Sequence, residues 1–329
     1  MSVPLEIEPA AGPGTPQAGL AGRAIEGRSL GQIAWRRLRR DKVAIAGGLF
    51  LVFLVLVAVF APLIVKVLGD PPNEFHQDLL DCSVGCVPNG TFGGMSWDHL
   101  MGLEPQNGRD VFSRVVYGSR VSLIIALFAT LLSVVIGTTM GTIAGFFGGW
   151  VDGLVSRLMD MFLAFPILVF ALALAGVFPD EAFGLKGNAL KIVLLIFIIG
   201  FFNWPYIGRI VRGQTLSLRE REFVDAARSL GAKRPYIMFN EVLPNLVAPI
   251  LVYSTLLIPS NILFEAALSF LGVGVQPPTP TWGAMLSKAV TYYTLPYFMF
   301  WPGLAIFLTV LAFNLFGDGL RDALDPRSR

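Results

Sequence analysis

The chain has 329 residues, 54% of them hydrophobic and 15% charged, with a mean hydropathy of +0.65. Soluble domains carry about 25% charged residues, so this composition excludes an ordinary soluble core, and a formal net charge of +2 is too small to argue for nucleic acid as a partner. The only cysteines are Cys82 and Cys86, which excludes a cysteine-rich metal centre, and the only histidines, His76 and His99, lack HExxH-type spacing and read as ordinary loop residues, so no metal site is expected.

Residues 1–28 are rich in Pro, Gly and Ala and show no cleavable signal peptide. They are expected to form a disordered tail, because they hold few large apolar groups to offset the entropy of ordering. A basic segment, 29–42, follows. The first apolar run, Val43–Val65, holds 23 residues and no charge. The second is Val121–Phe146, also uncharged, with Gly137, Gly141 and Gly145 at the four-residue spacing that lets helix backbones approach closely. The third, Leu158–Phe178, is interrupted by Asp160 and Pro166. The fourth is Leu190–Gly208, the fifth Leu246–Phe264 with Glu265 directly after it, and the sixth Leu295–Phe316. Runs of roughly 18 or more apolar residues are long enough to cross a hydrocarbon core about 30 Å thick, and as helices they satisfy their own backbone there. The expected fold is therefore an all-α membrane protein of about six transmembrane helices. Its parts are a first span, an extracytoplasmic loop over 66–117, a transmembrane core over 118–316 containing a polar loop at 213–244, and a tail over 317–329.

Orientation follows from Lys and Arg in the flanks. With both termini cytoplasmic, the inside carries 18 of the 25 basic residues and the outside seven. Asp160 is the one acid well inside an apolar run, close to its cytoplasmic edge. There it either reaches headgroup water or serves the transport pathway. Glu265 falls near the outer face, positioned to line a pore mouth or pair with a neighbouring helix. Cys82 and Cys86 fall on the oxidising side, separated by Ser83-Val84-Gly85, and are expected to form a disulfide. A metal pair is the alternative, and it lacks adjacent ligands.

The informative stretch is Ser217–Pro244. Ser217 with Glu220 has the form of a capping box, Gly231 suits a left-handed helix end, and Pro235 suits the first turn of another helix. The reading is helix, glycine corner, helix, outside the bilayer, with the small pair Ala226–Ala227 permitting close approach of another surface.

Asp225-Ala226-Ala227, then Gly231, then Leu243-Pro244 resembles the EAA loop of permeases in binding-protein-dependent ABC importers, which contains the helix that docks on the ATPase subunit. Asp225 stands for that pattern's leading Glu, and Glu241 stands where Ile is preferred. Ser29–Lys42, Gly108–Leu123, Glu265–Leu286 and Gly317–Pro326 are similar to segments of the C-type subunits of oligopeptide/dipeptide permeases, in the same order. In two places the sequence departs from that pattern. Gly102-Leu103-Glu104 stands for a Gly-Thr-Asp run, with one extra residue before Gly108, and the loop Val67–Asp98 is long. The resemblance implies a type I importer permease fold in a bacterial cytoplasmic membrane. It also implies a B-type permease as heterodimer partner, two ATPase subunits inside and a substrate-binding protein outside. Asp225, Ala226, Ala227, Gly231, Leu243 and Pro244 would then form the ATPase-coupling surface.

No P-loop pattern is present, so this chain is expected to bind no nucleotide cofactor itself, ATP and Mg2+ being used by the ATPase subunits. It is expected to be no enzyme. The cargo classes implied are dipeptides, oligopeptides, nickel complexes, glutathione or haem. The rival reading, an ion-coupled secondary transporter, predicts mid-membrane ionisable groups and internal repeats, which the sequence does not show.

Overall fold

The computed structural model describes residues 30–177, 181–182 and 184–324. The expected N-terminal tail, 1–28, lies outside the described residues, as do Phe178 at the end of the third apolar run and 325–329 in the C-terminal tail. Among the described residues the chain is mostly helical, with two minimal antiparallel ladders in loops. These are β1 Leu80–Asp81 against β2 Val87–Pro88, and β3 Glu181–Ala182 against β4 Leu185–Lys186.

The basic segment forms α1, Leu30–Leu38, which packs Ala34 and Leu38 against Ala323 at the far end of the chain. Asp41 then caps α2, Lys42–Val59, by accepting from the N–H groups of Val43 (2.9 Å) and Ala44 (3.1 Å). The first span is not one continuous helix. It breaks at Phe60 (φ −90°, ψ 13°) and restarts as α3, Ala61–Leu68, because Pro62 has no N–H and its ring collides with the carbonyl four residues back.

The second span, α4, runs over Val111–Phe147, well beyond the expected Val121 start, with Asp110 as its cap (2.8 Å to the Ser113 N–H). Its early turns escaped the hydropathy pattern because they carry Arg114 and Ser119, both buried, with Arg114 donating to the loop carbonyls of Pro72 and Pro278. The third span is α5, Gly149–Ala164, and α6, Ile167–Val177, bent by 76°. It starts earlier than the expected Leu158, and Pro166 divides it. The fourth, α7, covers Gly187–Leu218. Next come the short α8, Glu222–Ser229, and α9, Arg234–Tyr236. A wide π-helical turn over Ile237–Val242 then leads into α10, Leu243–Phe270. The last two helices are α11, Trp282–Thr291, and α12, Pro296–Leu324. Among the described residues five helices are long and apolar enough to cross a membrane, or six when the bent α5–α6 pair counts as one span.

Helices α4 and α7 run parallel along a seam of glycines. A Cβ at Gly137 would lie 2.6 Å from the Trp204 carbonyl oxygen, and one at Gly141 would lie 2.5 Å from that of Gly208. One at Gly145 would lie 2.7 Å from Thr215 Cβ. No other residue fits at these separations, so the glycine pattern serves bundle packing. Helix α10 joins this pair through a buried polar chain. Asn203 on α7 donates to Asn261 Oδ1 on α10, and Asn261 donates to Thr130 Oγ1 on α4, both at 2.8 Å. In lipid such groups have no water to fall back on, so each pairs across helices.

Candidate coupling site

Helix α8 sits at the end of the bundle where α7 finishes. The expected capping box is not formed. Ser217 lies inside the last turn of α7, which runs to Leu218, and α8 begins only at Glu222 after a turn closed by the Arg221 N–H on the Leu218 carbonyl (3.1 Å). Glu220 instead accepts from Arg219 Nε at 2.9 Å. The long apolar face of α7 simply outlasts the local signal.

Val224 is fully buried and anchors α8 against Phe146, Ile207, Val211, Ile237, Val242 and Leu246. Ala227 turns partly toward this cluster, whereas Asp225 and Ala226 face outward. Asp225 pairs with Arg228 one turn on (3.0 Å), an exposed contact worth about 0.3–0.5 kcal/mol. The helix ends in a Schellman motif. The Gly231 N–H donates to the Arg228 carbonyl (2.9 Å) and the Ala232 N–H to the Ala227 carbonyl (3.0 Å), with Gly231 at φ +81°. Pro235 lies in the first turn of α9. Leu230, 88% exposed, projects at this corner. Leu243 is half-buried on the same cluster as Val224, and Pro244 is exposed directly after the π-helical turn. Sequence reasoning did not single out Val224 and Leu230. The signal was there in an apolar residue at each end of a polar two-turn helix, one facing in and one facing out.

The polar candidates within the spans lie apart from α8 and from each other. Asp160 on α5 is exposed and ion-paired with Arg209 on α7. A second pair joins the same helices, Asp152 Oδ2 accepting from Arg212 Nη2 at 2.8 Å. Glu265 on α10 is fully buried. It accepts from Ser122 on α4 (2.9 Å) and from Ser269 (2.8 Å), so it joins two helices inside the bundle.

At the opposite end, Cys82 and Cys86 are disulfide-bonded. Glu104, in the segment that departs from the Gly-Thr-Asp pattern, is buried among three cations. Arg109 Nε donates to it, Lys288 Nζ lies 2.7 Å away and Arg114 Nε 3.6 Å away. Burial pushes the Glu104 carboxyl up. The Arg109 hydrogen bond and the charges of Arg114, Lys288 and Arg109 outweigh that and hold it below its ordinary value. For Lys288 burial wins, lowering it against the pull of Glu104.

Residues 134–329 match the family described as binding-protein-dependent transport system inner membrane component, and residues 29–80 match the N-terminal TM domain of oligopeptide transport permease C. The chain is 43% identical over 294 residues to the glutathione transport system permease protein GsiD of Salmonella paratyphi A, covering 89% of each. It is 41% and 42% identical, with the same coverage, to the proteins of that name from Escherichia coli O1:K1 and Shigella flexneri serotype 5b. These matches, on a multi-pass helical bundle, define the class as a transport permease subunit. The chain belongs to the binding-protein-dependent transport system inner membrane component family, and is the permease of an ABC importer in a bacterial cytoplasmic membrane. Such a permease works with ATPase and substrate-binding partners.

Proposed function

We propose that this chain is the C-type half of a heterodimeric pathway completed by a B-type permease, that it performs no catalysis itself, and that its cargo is glutathione or a similarly short peptide. The relatives named above support the cargo, and the match of residues 29–80 to a permease C domain supports the C-type assignment. The basic end, with α1, α8 and the C-terminal turns of α12, faces the cytoplasm in this reading, in keeping with the 18 inside-facing cations counted from the sequence.

The observation that carries the mechanism is the corner at Gly231. A short helix anchored by one buried valine, presenting Ala226 and an 88%-exposed leucine, is a docking surface in search of a groove. In this reading Asp225, Ala226, Ala227, Gly231, Leu243 and Pro244 form or brace the contact with an ATPase subunit. ATP-driven closure of the ATPases displaces α8, and the spans exchange inward- and outward-open states. ATP and Mg2+ stay on the ATPases.

The test is reconstitution of the full complex with its binding protein, followed by hydrolysis and uptake assays with glutathione, a dipeptide and a longer peptide. Stimulation by glutathione or the dipeptide but not the longer peptide supports the cargo assignment. Stimulation by the longer peptide alone refutes it. Uptake driven by an ion gradient without ATP would overturn the coupling mechanism itself.

A further inference from the structure

The loop between α3 and α4 brings together four side chains that lie up to 40 positions apart. Asp70 Oδ2 is 3.5 Å from His76 Nε2 and 3.6 Å from His99 Nδ1, and His99 Nδ1 is 3.5 Å from Asp110 Oδ1. The ligand atoms of Asp70, His76 and His99 all lie within 4.8 Å of one another. We propose that Asp70, His76 and His99 form a binding site for a divalent transition-metal ion of the zinc class, with the Asp110 carboxylate beside His99.

The two separations from Asp70 to the histidines and the one between His99 and Asp110 fit this chemistry better than direct hydrogen bonding. Ligand atoms bound tetrahedrally to zinc at about 2.0–2.2 Å stand about 3.3–3.6 Å apart. An N–H···O bond closes to about 2.7–3.2 Å. Independently, His76 Nε2, His99 Nδ1 and Asp110 Oδ1 are each buried without a hydrogen-bond partner. The His99 side chain is 7% exposed and that of Asp110 is 0% exposed. Buried polar atoms are ordinarily paired, and here the orphaned nitrogens of both histidines face the same Asp70 oxygen, which is the arrangement a shared cation resolves.

The ligands are also held in place by their own backbone. Gly69 presses on the start of α4, where a Cβ would lie 2.5 Å from Ser113 Oγ, and this fixes Asp70 beside Asp110. The His76 N–H donates to the Gly108 carbonyl (3.3 Å), and the His99 N–H donates to Ser96 Oγ (3.1 Å). Asp110 spends its Oδ2 on the Ser113 N–H (2.8 Å), leaving Oδ1 directed at His99. Two imidazoles and a carboxylate select zinc-like ions over Ca2+ and Mg2+, which take oxygen ligands. Cys82 and Cys86, bonded to each other, offer no competing thiolate. Bound metal would tie Asp70, at the start of the loop, to His76 and His99 further along it, with water completing the tetrahedron. Asp70, the most exposed of the four at 37%, marks the side from which an ion enters.

The test uses the full-length chain in its purified complex, with any affinity tag removed. The complex is treated with chelator, desalted, incubated with ZnCl2, desalted again and assayed for metal by mass spectrometry, with CaCl2 and MgCl2 as control arms. The expected result is about one zinc per chain, with affinity in chelator competition lowered at least tenfold by His76→Gln and by Asp70→Asn. Zinc should also raise the melting temperature of the wild-type complex and leave that of His76→Gln unmoved. A folded wild-type complex that retains no zinc overturns the site. So does wild-type zinc affinity in both variants, since the cluster would then be a histidine–carboxylate network whose stability follows pH and not zinc.

Discussion

The N–H of Ala232 reaches back 3.0 Å to the carbonyl of Ala227, and the turn between them closes only because Gly231 adopts φ +81°. A Cβ placed at Gly231 would meet nothing within 4 Å, so substitution strains the backbone without crowding this chain. Gly231→Val is therefore expected to cost about 1–2 kcal/mol locally and to loosen the corner, while Gly231→Asn, which tolerates the left-handed region, should do little. Both variants should assemble at normal stoichiometry. Hydrolysis stimulated by the loaded binding protein should fall several-fold for Val and stay near wild type for Asn. Equal stimulation in the two would detach this corner from coupling.

The seam between α4 and α7 makes a sharper contrast. Gly141→Ala places a methyl 2.5 Å from the Gly208 carbonyl oxygen, whereas Gly213, on the exposed side of α7, has nothing within 4 Å. The first substitution must push two backbones apart and is expected to lower the melting temperature of the detergent-purified complex by several degrees. Gly213→Ala should be neutral or stabilising by up to about 1 kcal/mol through helix propensity. Indistinguishable melting curves for the two alanines would mean that the seam is not close-packed.

Glu104 neutralises three neighbouring cations from a buried position. Removing its charge with Glu104→Gln leaves Arg109, Arg114 and Lys288 unbalanced, at a cost on the order of 3–5 kcal/mol. The pH dependence has a definite sign. The folded-state value lies below the ordinary 4.5, so the stabilisation is fully present above that value and is lost as pH falls through the folded one. Thermal melts from about pH 6 to pH 3 should steepen downward at the acid end for wild type and less so for Glu104→Gln. Parallel curves for the two proteins would show that other carboxylates govern acid unfolding.

The bridge between Cys82 and Cys86 closes a very short loop, for which chain entropy gives about 2 kcal/mol. The double variant Cys82→Ser/Cys86→Ser should assemble normally while residues 77–94 become more susceptible to limited proteolysis. Unreduced wild-type protein should show no free thiol on alkylation, and labelling at both positions would contradict the bond.

The spans, the glycine seam and the Gly231 corner were legible in the sequence because each rests on a local rule. Apolar length, four-residue small spacing and a left-handed helix end need no knowledge of distant residues. The miscounted helix ends have one physical origin. The first turns of α4 bury Ser113, Arg114 and Ser119, and the last turns of α7 mix buried Val211 and Thr215 with exposed Gln214 and Ser217, so hydropathy reads both stretches as polar and ends the span too soon. The breaks at Pro62 and Pro166 were visible as residues, and the 76° consequence of the second was not. The capping-box reading of Ser217 failed because tertiary packing extended α7 past it. His76 and His99 looked unremarkable for a similar reason: their relationship depends on a loop that folds back on α4, and no spacing rule spans 23 positions.

The seam has a mechanical corollary. Three glycines pin α4 to α7, and only the turn Arg219–Arg221 separates α7 from α8. A push delivered at α8 therefore arrives on a doubled strut, not on a single flexible rod. At about 1.5 Å per residue, α4 alone extends about 55 Å, more than the membrane is thick. Its far end is capped by Asp110, so under the coupling proposed above a small tilt at one surface would carry the opposite loop sideways in proportion to that length.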